Sequence, residues 1–545
     1  MNALYDRGTD TPAQTDTTAA WPRSLLVCLP LLWSRVLFPG QPTLVRPPRW
    51  SVLLLLTVLP GLLLYPCLSF LLFEPDEGRY AEIPREMLIR GEWIVPYLQG
   101  EPYLDKPPLL YWLVIGSYRL FGVHDWSARL VPALAVHVSV LMTYLLGRRS
   151  LGERAAFWGA LALALAPGFI TVGRLLVLDG LLTLWVTLSL LCAFEAVRGE
   201  RLRWRWWLAA AAACGLGVLT KGPIAVLLLV PPLALYRWLA GWSCPLGWRA
   251  CLTFAGVVLG LSAPWYLAVC LRLPGFASYF FWRHNVLRFV APFDHQEPIW
   301  YYGPIVLASL LPASLLGVSF VRFLLSGDPA AAARRCPELG FMLLAGGWCV
   351  LFFSLSGSKL PTYVLPAFPP LALALGYFLA GSRWAVSRWT RGAVMVTGLL
   401  LLGLHYGGIP WFADFHSPMS RADEVARYCD RTPVVCFPRG CDSVAFYLGR
   451  DDLCCYRSKE IAGLMQYLQR QPRTVILFTH RHSPQALQEP LQKAGLRLAQ
   501  LTPISRSWIS WFQTGYCYMG VVERAEVDRA GQVPANGAHP RQCRG

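Results

Sequence analysis

Charge is scarce in this sequence. Only 15% of its 545 residues are Asp, Glu, Lys or Arg and 55% are hydrophobic, whereas an ordinary soluble domain carries about 25% charged residues. That deficit excludes a soluble enzyme and a disordered scaffold alike. Uncharged windows such as Ser51 to Phe73, Ala250 to Leu271, Pro298 to Val321 and Leu360 to Ser382 recur along the chain, each long enough to enter a hydrocarbon core of about 30 Å. Lysine is scarcer still, with only Lys106, Lys221 and Lys359 before residue 414. There is no CxxC pair to suggest structural zinc and no GxxxxGK[ST] loop to cradle a nucleotide. Energy for any reaction must therefore arrive with the substrate.

The net charge is +17, which on a soluble chain would raise nucleic acid as a partner. Here it reads as membrane topology, and no nucleic acid is expected. Eleven apolar segments can be drawn, 51–73, 130–147, 155–173, 180–194, 206–220, 222–236, 250–271, 298–321, 339–358, 360–382 and 392–413, and none contains an Asp, Glu, Lys or Arg. With the N-terminus in the cytoplasm, the loops 148–154, 195–205, 237–249, 322–338 and 383–391 face inward and hold fifteen arginines, as the positive-inside rule requires. Residues 414–545 then lie outside. The expected division is a cytoplasmic or interfacial segment 1–50, with an apolar patch from Leu25 to Pro39, followed by a membrane domain 51–413. Residues 74–129 form its first outer loop, with an amphipathic helix from about Arg79 to Arg90 and an interfacial helix over Leu109 to Val123.

After Ala413 the pattern turns to short β-rich runs alternating with helical ones. Pro433 to Phe437, Asp452 to Tyr456, Thr474 to Thr479 and Tyr516 to Val522 read as strands, and Ser458 to Gln469 and Ser483 to Ala494 as serine-capped helices. A small extracytoplasmic α/β domain over 414–524 and a disordered tail over 525–545 are expected. Cys429, Cys436, Cys441, Cys454 and Cys455 fall in that domain, where an oxidising compartment permits disulfides and the spacing leaves the pairing open.

The three lysines all fall in outer loops on this topology, whereas the inner loops use arginine alone. A lysine is a compact mobile charge and a common phosphate ligand. The same face carries Glu74, Asp76, Glu77, Arg79, Glu82, Glu86 and Asp105, then Arg174 and Asp179, then Arg283, His284, Asn285 and Arg288. Loops at membrane depth need internal polar partners, so part of this set ties loops together. Asp76 with Glu77 supplies a candidate general base or a hard oxygen ligand. In Asp105-Lys106-Pro107-Pro108, two prolines stiffen the backbone just after an acid and a cation. His284 reads equally as a metal ligand beside Asp105 or as a hydrogen-bonding tether. The run Ser356 to Tyr363 places Lys359 and Tyr363 at the mouth of a span, where they can hold a phosphate with Lys221 and Arg79.

Glu74-Pro75-Asp76-Glu77-Gly78-Arg79-Tyr80-Ala81-Glu82-Ile83, followed by Tyr103-Leu104-Asp105-Lys106-Pro107-Pro108, resembles the first outer loop of bacterial GT-C glycosyltransferases. The likeness is to the lipid A 4-amino-4-deoxy-L-arabinose transferases and related protein O-mannosyltransferase-like enzymes. It extends through Leu175 to Gly180, Thr220 to Pro223, Phe281 to Phe289 and Ser356 to Pro366, roughly residues 50 to 380, and fades after Ser382. The resemblance implies a polytopic α-helical membrane protein of about 11–13 spans with a polyprenyl-phosphate sugar as donor. It further implies an envelope acceptor, a lipid A-like glycolipid or an exported protein, and an inverting reaction at the outer face of a bacterial inner membrane. By position, Asp76 and Asp179 match catalytic carboxylates and Arg79, Lys106 and Tyr363 match donor-phosphate ligands, to which the reading of the lysines adds Lys221 and Lys359. Glu77, Tyr80, Tyr103 and Arg288 are expected in the substrate pocket, and Asp105 with His284 match a pair for a divalent metal such as zinc, magnesium or manganese. The aminoarabinose transferases commonly carry Glu where this chain has Asp105.

Displacement at an anomeric carbon passes through an oxocarbenium-like transition state. Negative charge grows on the departing phosphate, so cations aimed at it stabilise the transition state more than the ground state. Asp76 would activate an acceptor hydroxyl, or merely position an acceptor phosphate. The rival is a transporter or flippase of polyprenyl-linked sugar or lipid without transfer chemistry. It predicts ionisable residues along the span interiors, which these segments lack.

Overall fold

The computed structural model describes residues 49–239, 244, 246–290, 295–430, 432–438, 440–480, 485–510 and 513–524. The Leu25 to Pro39 patch and the tail 525–545 lie outside them. Each of the eleven apolar segments forms a helix or a bent pair of helices. In chain order these begin with α1 (Trp50–Leu64), the amphipathic α2 (Asp76–Arg90), the short hairpin β1–β2 (Tyr97–Leu98 and Glu101–Pro102) and α3 (Leu109–Phe121). Next come α4 (Asp125–Leu151), α5 (Glu153–Ala164), α6 (Pro167–Gly173), α7 (Leu178–Val197), α8 (Trp204–Lys221), α9 (Ile224–Leu239) and α10 (Trp248–Arg272). The bundle ends with α11 (Tyr302–Ser309), α12 (Ala313–Leu325), α13 (Pro337–Leu355), α14 (Pro361–Ala380) and α15 (Arg388–His416).

By length and apolar composition, six of the described helices suffice to cross a membrane, and eight spans result if each of two bent pairs counts as one. The segments expected as straight spans at 155–173 and 298–321 are those two pairs, bent by 63° between α5 and α6 and by 110° between α11 and α12. Pro167 and Pro312 stand at the breaks, and a proline has no N–H to continue the ladder. The shorter apolar helices include α1, α3 and α9. Close packing comes from small residues: a Cβ on Gly376 of α14 would stand 2.3 Å from the Gly159 nitrogen of α5. Backbone approach of this kind holds helices together where water supplies no driving force between them.

Beyond α15 lie α16 (Ala422–Cys429), α17 (Asp442–Leu448), α18 (Ile461–Arg470) and α19 (Gln485–Lys493) around a five-stranded sheet of order β4-β3-β5-β7-β6. Strands β3 (Val434–Phe437), β4 (Cys454–Cys455) and β5 (Arg473–His480) run parallel. Strands β6 (Leu496–Ser510) and β7 (Gln513–Arg524) add an antiparallel edge. The strand β6 was not expected from the sequence. Its Leu-Arg-Leu-Ala-Gln-Leu start alternates, but Pro503 interrupts the run and sits at a register irregularity. Cys454 is disulfide-bonded, while Cys429, Cys436, Cys441 and Cys455 are free thiols.

After α1 the chain leaves helical geometry and crosses from Tyr65 to Phe73 without regular structure before entering α2. Backbone carbonyls freed in an apolar surrounding need partners. Two arginines supply them. Arg174 donates to the carbonyls of Leu63, Leu64, Pro66 and Cys67 at 2.7–3.1 Å and to His405 at 3.2 Å. Arg129, wholly buried, donates to Leu68, Phe70 and Leu71 and closes a bidentate pair with Glu77 at 2.8 Å. Removing one partner of a buried ion pair strands the other charge and costs about 3–5 kcal/mol. Arg129→Ala is therefore expected to lower the thermal midpoint steeply and reduce monodisperse yield, while Arg119→Ala, on the exposed end of α3, leaves both near wild type; detergent-solubilised protein melted in parallel checks this.

Candidate active site

Four chain segments converge at one end of the bundle. The stiff Asp105-Lys106-Pro107-Pro108 step leads into α3 with Pro108 as its N-cap. Lys221 ends α8, and Gly222 follows at φ +86°, where a Cβ would be strained and would press on the Phe280 ring at 3.1 Å. A cation at a helix C-terminus is favoured by the helix dipole. Tyr363 lies in the 3₁₀ stretch Pro361–Ala367 that opens α14. The fourth segment, Ser278–Leu287, is π-helical, a geometry frequent at functional sites, and it carries Tyr279, His284 and Asn285.

These segments enclose a cavity of about 510 Å³ lined by Asp105, Lys106, Lys221, His284, Arg288 and Tyr363. Its remaining wall is largely apolar, with Ile224, Leu227, Phe280, Phe281, Phe289 and Phe352. The Lys221 ammonium reaches Asp179 Oδ1 at 2.5 Å and lies 4.1 Å from the Tyr363 ring centroid. Lys106 donates to His284 Nε2 at 2.9 Å. An ammonium has only donors, so Nε2 presents its lone pair and the ring proton sits on Nδ1, which faces Asp105 Oδ1 at 3.8 Å. Burial and the neighbouring Lys106 push the imidazole down to about 3, so it stays neutral. Burial, reinforced by Lys221, Arg288 and Arg79 and opposed by Asp105, pushes Lys106 down to about 8. Burial raises the Asp105 carboxyl, but the Lys106 ammonium and the Tyr279 hydroxyl at 2.5 Å outweigh it and hold it below the usual carboxylate range.

The expected single site is thus divided. Asp105, Lys106, Lys221, His284, Arg288 and Tyr363 share the cavity, with Asp179 behind Lys221. Arg79 lines a second cavity of about 910 Å³ between α2 and the C-terminal sheet, with Asp76 Oδ1 at 3.7 Å and Asp442 Oδ2 at 3.9 Å. Asp76 opens α2 and is half exposed. Four other expected residues sit outside the smaller cavity. Glu77 does not face a substrate pocket, because both oxygens are held by Arg129 and also accept the amides of Phe73 and Leu176. Lys359 is occupied by the carbonyls of Glu297 and Ser356 at 2.8 and 2.6 Å. Tyr80 is buried against Tyr111, and Tyr103 lies beneath the Arg79 guanidinium at 5.8 Å, so both support the site rather than line the donor-sized cavity.

Asp105 and His284 are brought together, yet among the described residues no group of three or more His, Cys, Asp or Glu side chains is gathered to hold a metal. The imidazole Nε2 already faces an ammonium, so the donor set by itself does not fit a resident divalent ion. Sequence reasoning missed Tyr279, whose hydroxyl fixes Asp105, and Asp442, which lies far along the chain with no motif to mark it. Glu74 was noted only as one of many acids on that face. Burial, then Asp442, raises the Glu74 carboxyl to about 8, and burial raises Asp442 to about 6 against the pull of Arg79.

The arrangement defines a membrane protein of the GT-C type with a mixed β-sheet region at its C-terminus. Its fold matches the apo crystal structure of ArnT from Cupriavidus metallidurans with a TM-score of 0.69 at 21% identity, over 86% of this chain and 98% of that one. The same protein bound to undecaprenyl phosphate matches at 0.67 and 20%, over 86% and 97% of the two chains. The family described as dolichyl-phosphate-mannose-protein mannosyltransferase matches residues 49–280. The undecaprenyl phosphate-alpha-4-amino-4-deoxy-L-arabinose arabinosyl transferase of Edwardsiella ictaluri is 34% identical over 398 residues, covering 69% of this chain and 68% of the relative. The corresponding transferase 2 of Pseudomonas fluorescens is 37% identical over 338 residues, 60% of this chain and 56% of the relative. This chain belongs to that mannosyltransferase family and is related to its aminoarabinose transferase members. It spans 56–57% of the length of several of the curated relatives it matches.

Holding Lys106 charged in its cavity costs stability wherever the folded protein binds the proton less tightly than the unfolded chain. The lysine falls from 10.5 to about 8 on folding. The cost is therefore full below pH 8, shrinks between the two values and vanishes above the higher. Lys106→Met is expected to melt higher than wild type at pH 7, with the gap closing towards pH 10; a thermal-shift series across that range checks it.

Proposed function

We propose that this chain transfers a sugar from a polyprenyl-phosphate donor to an envelope glycolipid or exported protein at the extracytoplasmic face of a bacterial inner membrane. The observation that carries this reading is the smaller cavity, whose lining combines Lys106, Lys221 and Arg288 with several phenylalanines, a composition suited to a phosphate on an isoprenoid chain. A relative of the same fold has been crystallised bound to undecaprenyl phosphate, and the other named relatives are arabinosyl transferases.

In this reading the C1–O bond to phosphate breaks with its electron pair going to the phosphate oxygen, while the acceptor oxygen bonds to C1 from the opposite face. The leaving group passes from one negative charge towards two, and the fixed cations meet that growth without reorganising. Asp76 takes the proton of an acceptor hydroxyl. Asp179 acts through Lys221, holding its ammonium in place, and His284 does the same for Lys106 by accepting one of its hydrogens.

Purified protein in nanodiscs, given radiolabelled polyprenyl-phosphate sugar and envelope extract, is expected to form labelled product. Asp76→Asn should lower kcat by about 10²-fold, and Lys221→Ala should cut kcat/KM by about 10²–10³-fold. An unchanged rate with the Asn variant removes Asp76 from this role. Movement of the donor across the bilayer with no product would replace the enzyme by a transporter.

A further inference from the structure

Three thiols meet at one corner of the C-terminal region. Cys436 on β3 and Cys455 on β4 are register partners on neighbouring parallel strands, so their side chains leave the same face of the sheet. Adjacent strands stand about 4.8 Å apart, inside the range of about 4.4–6.8 Å that a disulfide spans between Cα atoms. Val435 and Cys454, one step back along each strand, turn to the opposite face and pack in a separate apolar cluster, and Cys454 is disulfide-bonded there. Cys441, just before α17, completes the group, and the Cys436 sulfur is within hydrogen-bonding reach of both Cys441 and Cys455. Those two contacts, then burial, raise the Cys436 thiol well above its ordinary value, so it waits protonated. Access to the three is graded. Cys436 is fully covered, Cys441 nearly so, and Cys455 is half-buried in the wall of the 910 Å³ cavity. The same wall carries Glu74, Glu101, Asp442 and Glu460 against Arg79 and Arg457, which disfavours an anionic reagent.

We propose that this corner is a redox modification site, at which a small amine-bearing disulfide oxidises Cys455 and Cys436 to a bond between β4 and β3. Cys455 Sγ attacks one sulfur of the small disulfide, whose S–S bond breaks. The departing thiolate takes the Cys455 proton, and a mixed disulfide stands on Cys455. Cys436 Sγ then attacks Cys455 Sγ, and the second small thiol leaves with the Cys436 proton. The two cysteines have given up two electrons, and the small disulfide has become two thiols. Cys441 keeps its hydrogen. An oxidising compartment, expected for this region from the charge distribution, permits such chemistry. The assignment does not depend on the glycosyl-transfer reading. Gly440 offers a means of closing the entrance while sparing all three cysteines, since a Cβ there stands 3.5 Å from Cys455 Sγ and a longer side chain covers it.

Full-length protein, as purified in nanodiscs, is treated with cystamine at mildly alkaline pH. Remaining thiols are capped with N-ethylmaleimide after unfolding, and the tryptic fragments are sequenced by mass spectrometry. The expected wild-type product is a bond from Cys436 to Cys455 with Cys441 capped. Cys436→Ser should stop at the cysteamine adduct on Cys455, and Cys455→Ser should slow loss of the Cys436 thiol at least tenfold. Gly440→Leu should slow bond formation by a similar factor, and glutathione disulfide, which is anionic, should react at least tenfold more slowly than cystamine with wild type. Thermal melts identify any variant that fails to fold, and the wild-type product and the two reagents then decide by themselves. A Cys436–Cys455 bond already present before treatment also supports the assignment. A bond from Cys441 to either partner overturns it. So does a cysteamine adduct that persists on Cys455 of wild type, three thiols still free after treatment, or equal rates with the two reagents.

Discussion

The structure depends on two guanidinium groups that replace a missing stretch of helix. Between Tyr65 and Phe73 the backbone has no regular ladder, and Arg174 and Arg129 between them take the carbonyls of Leu63, Leu64, Pro66, Cys67, Leu68, Phe70 and Leu71. Arginine suits this work because its planar head presents five donors and keeps its charge when buried. The bidentate pair of Arg129 with Glu77 then anchors the first turn of α2. Asp76 and Arg79 stand on that same helix, so the direction in which they point is set by bonds made below them.

Electrostatically the site has two halves. The lysine side gathers cations beside apolar residues, and burial with the neighbouring cations presses Lys106 towards neutrality. On the α2 side carboxyls outnumber cations, and burial, joined for Glu74 by the neighbouring Asp442, pushes Glu74 and Asp442 the opposite way. Each half is short of the charge that a bound molecule would bring. Arg79 connects them, since it touches Asp76 and Asp442 and also bears on Lys106 and Asp105.

Much of this was legible in the residues. The uncharged windows gave the helices because a run without charge has few alternatives in lipid. The rarity of lysine pointed to Lys106 and Lys221, which meet in one cavity. It also pointed to Lys359, which does not function in the same way: its ammonium is spent on two carbonyls, and a sequence cannot distinguish a lysine that ties a loop from one that waits for a ligand. Glu77 misled for a related reason. Its neighbour Asp76 opens outward, but one step round a helix is about 100°, and that rotation carries Glu77 inward to Arg129, fifty-two residues away in sequence. Asp442 was invisible because its place depends on how the C-terminal sheet region docks on α2, a long-range contact that no local pattern encodes. The bends at Pro167 and Pro312 could have been read from the prolines themselves.

The first helix carries a consequence of its own. With fifteen residues it rises only about 22 Å, well short of the hydrophobic thickness of a typical bilayer, and the strap that follows is pinned by arginines and cannot extend it. A stretch this short is met by local thinning of the lipid, by snorkelling of flanking side chains or by association with a neighbour. Where thinning is the outcome, the headgroup plane on that flank sinks towards the protein's midline, and an amphiphile diffusing in the leaflet meets the protein already lowered, with less of its tail to withdraw before its polar end can dock.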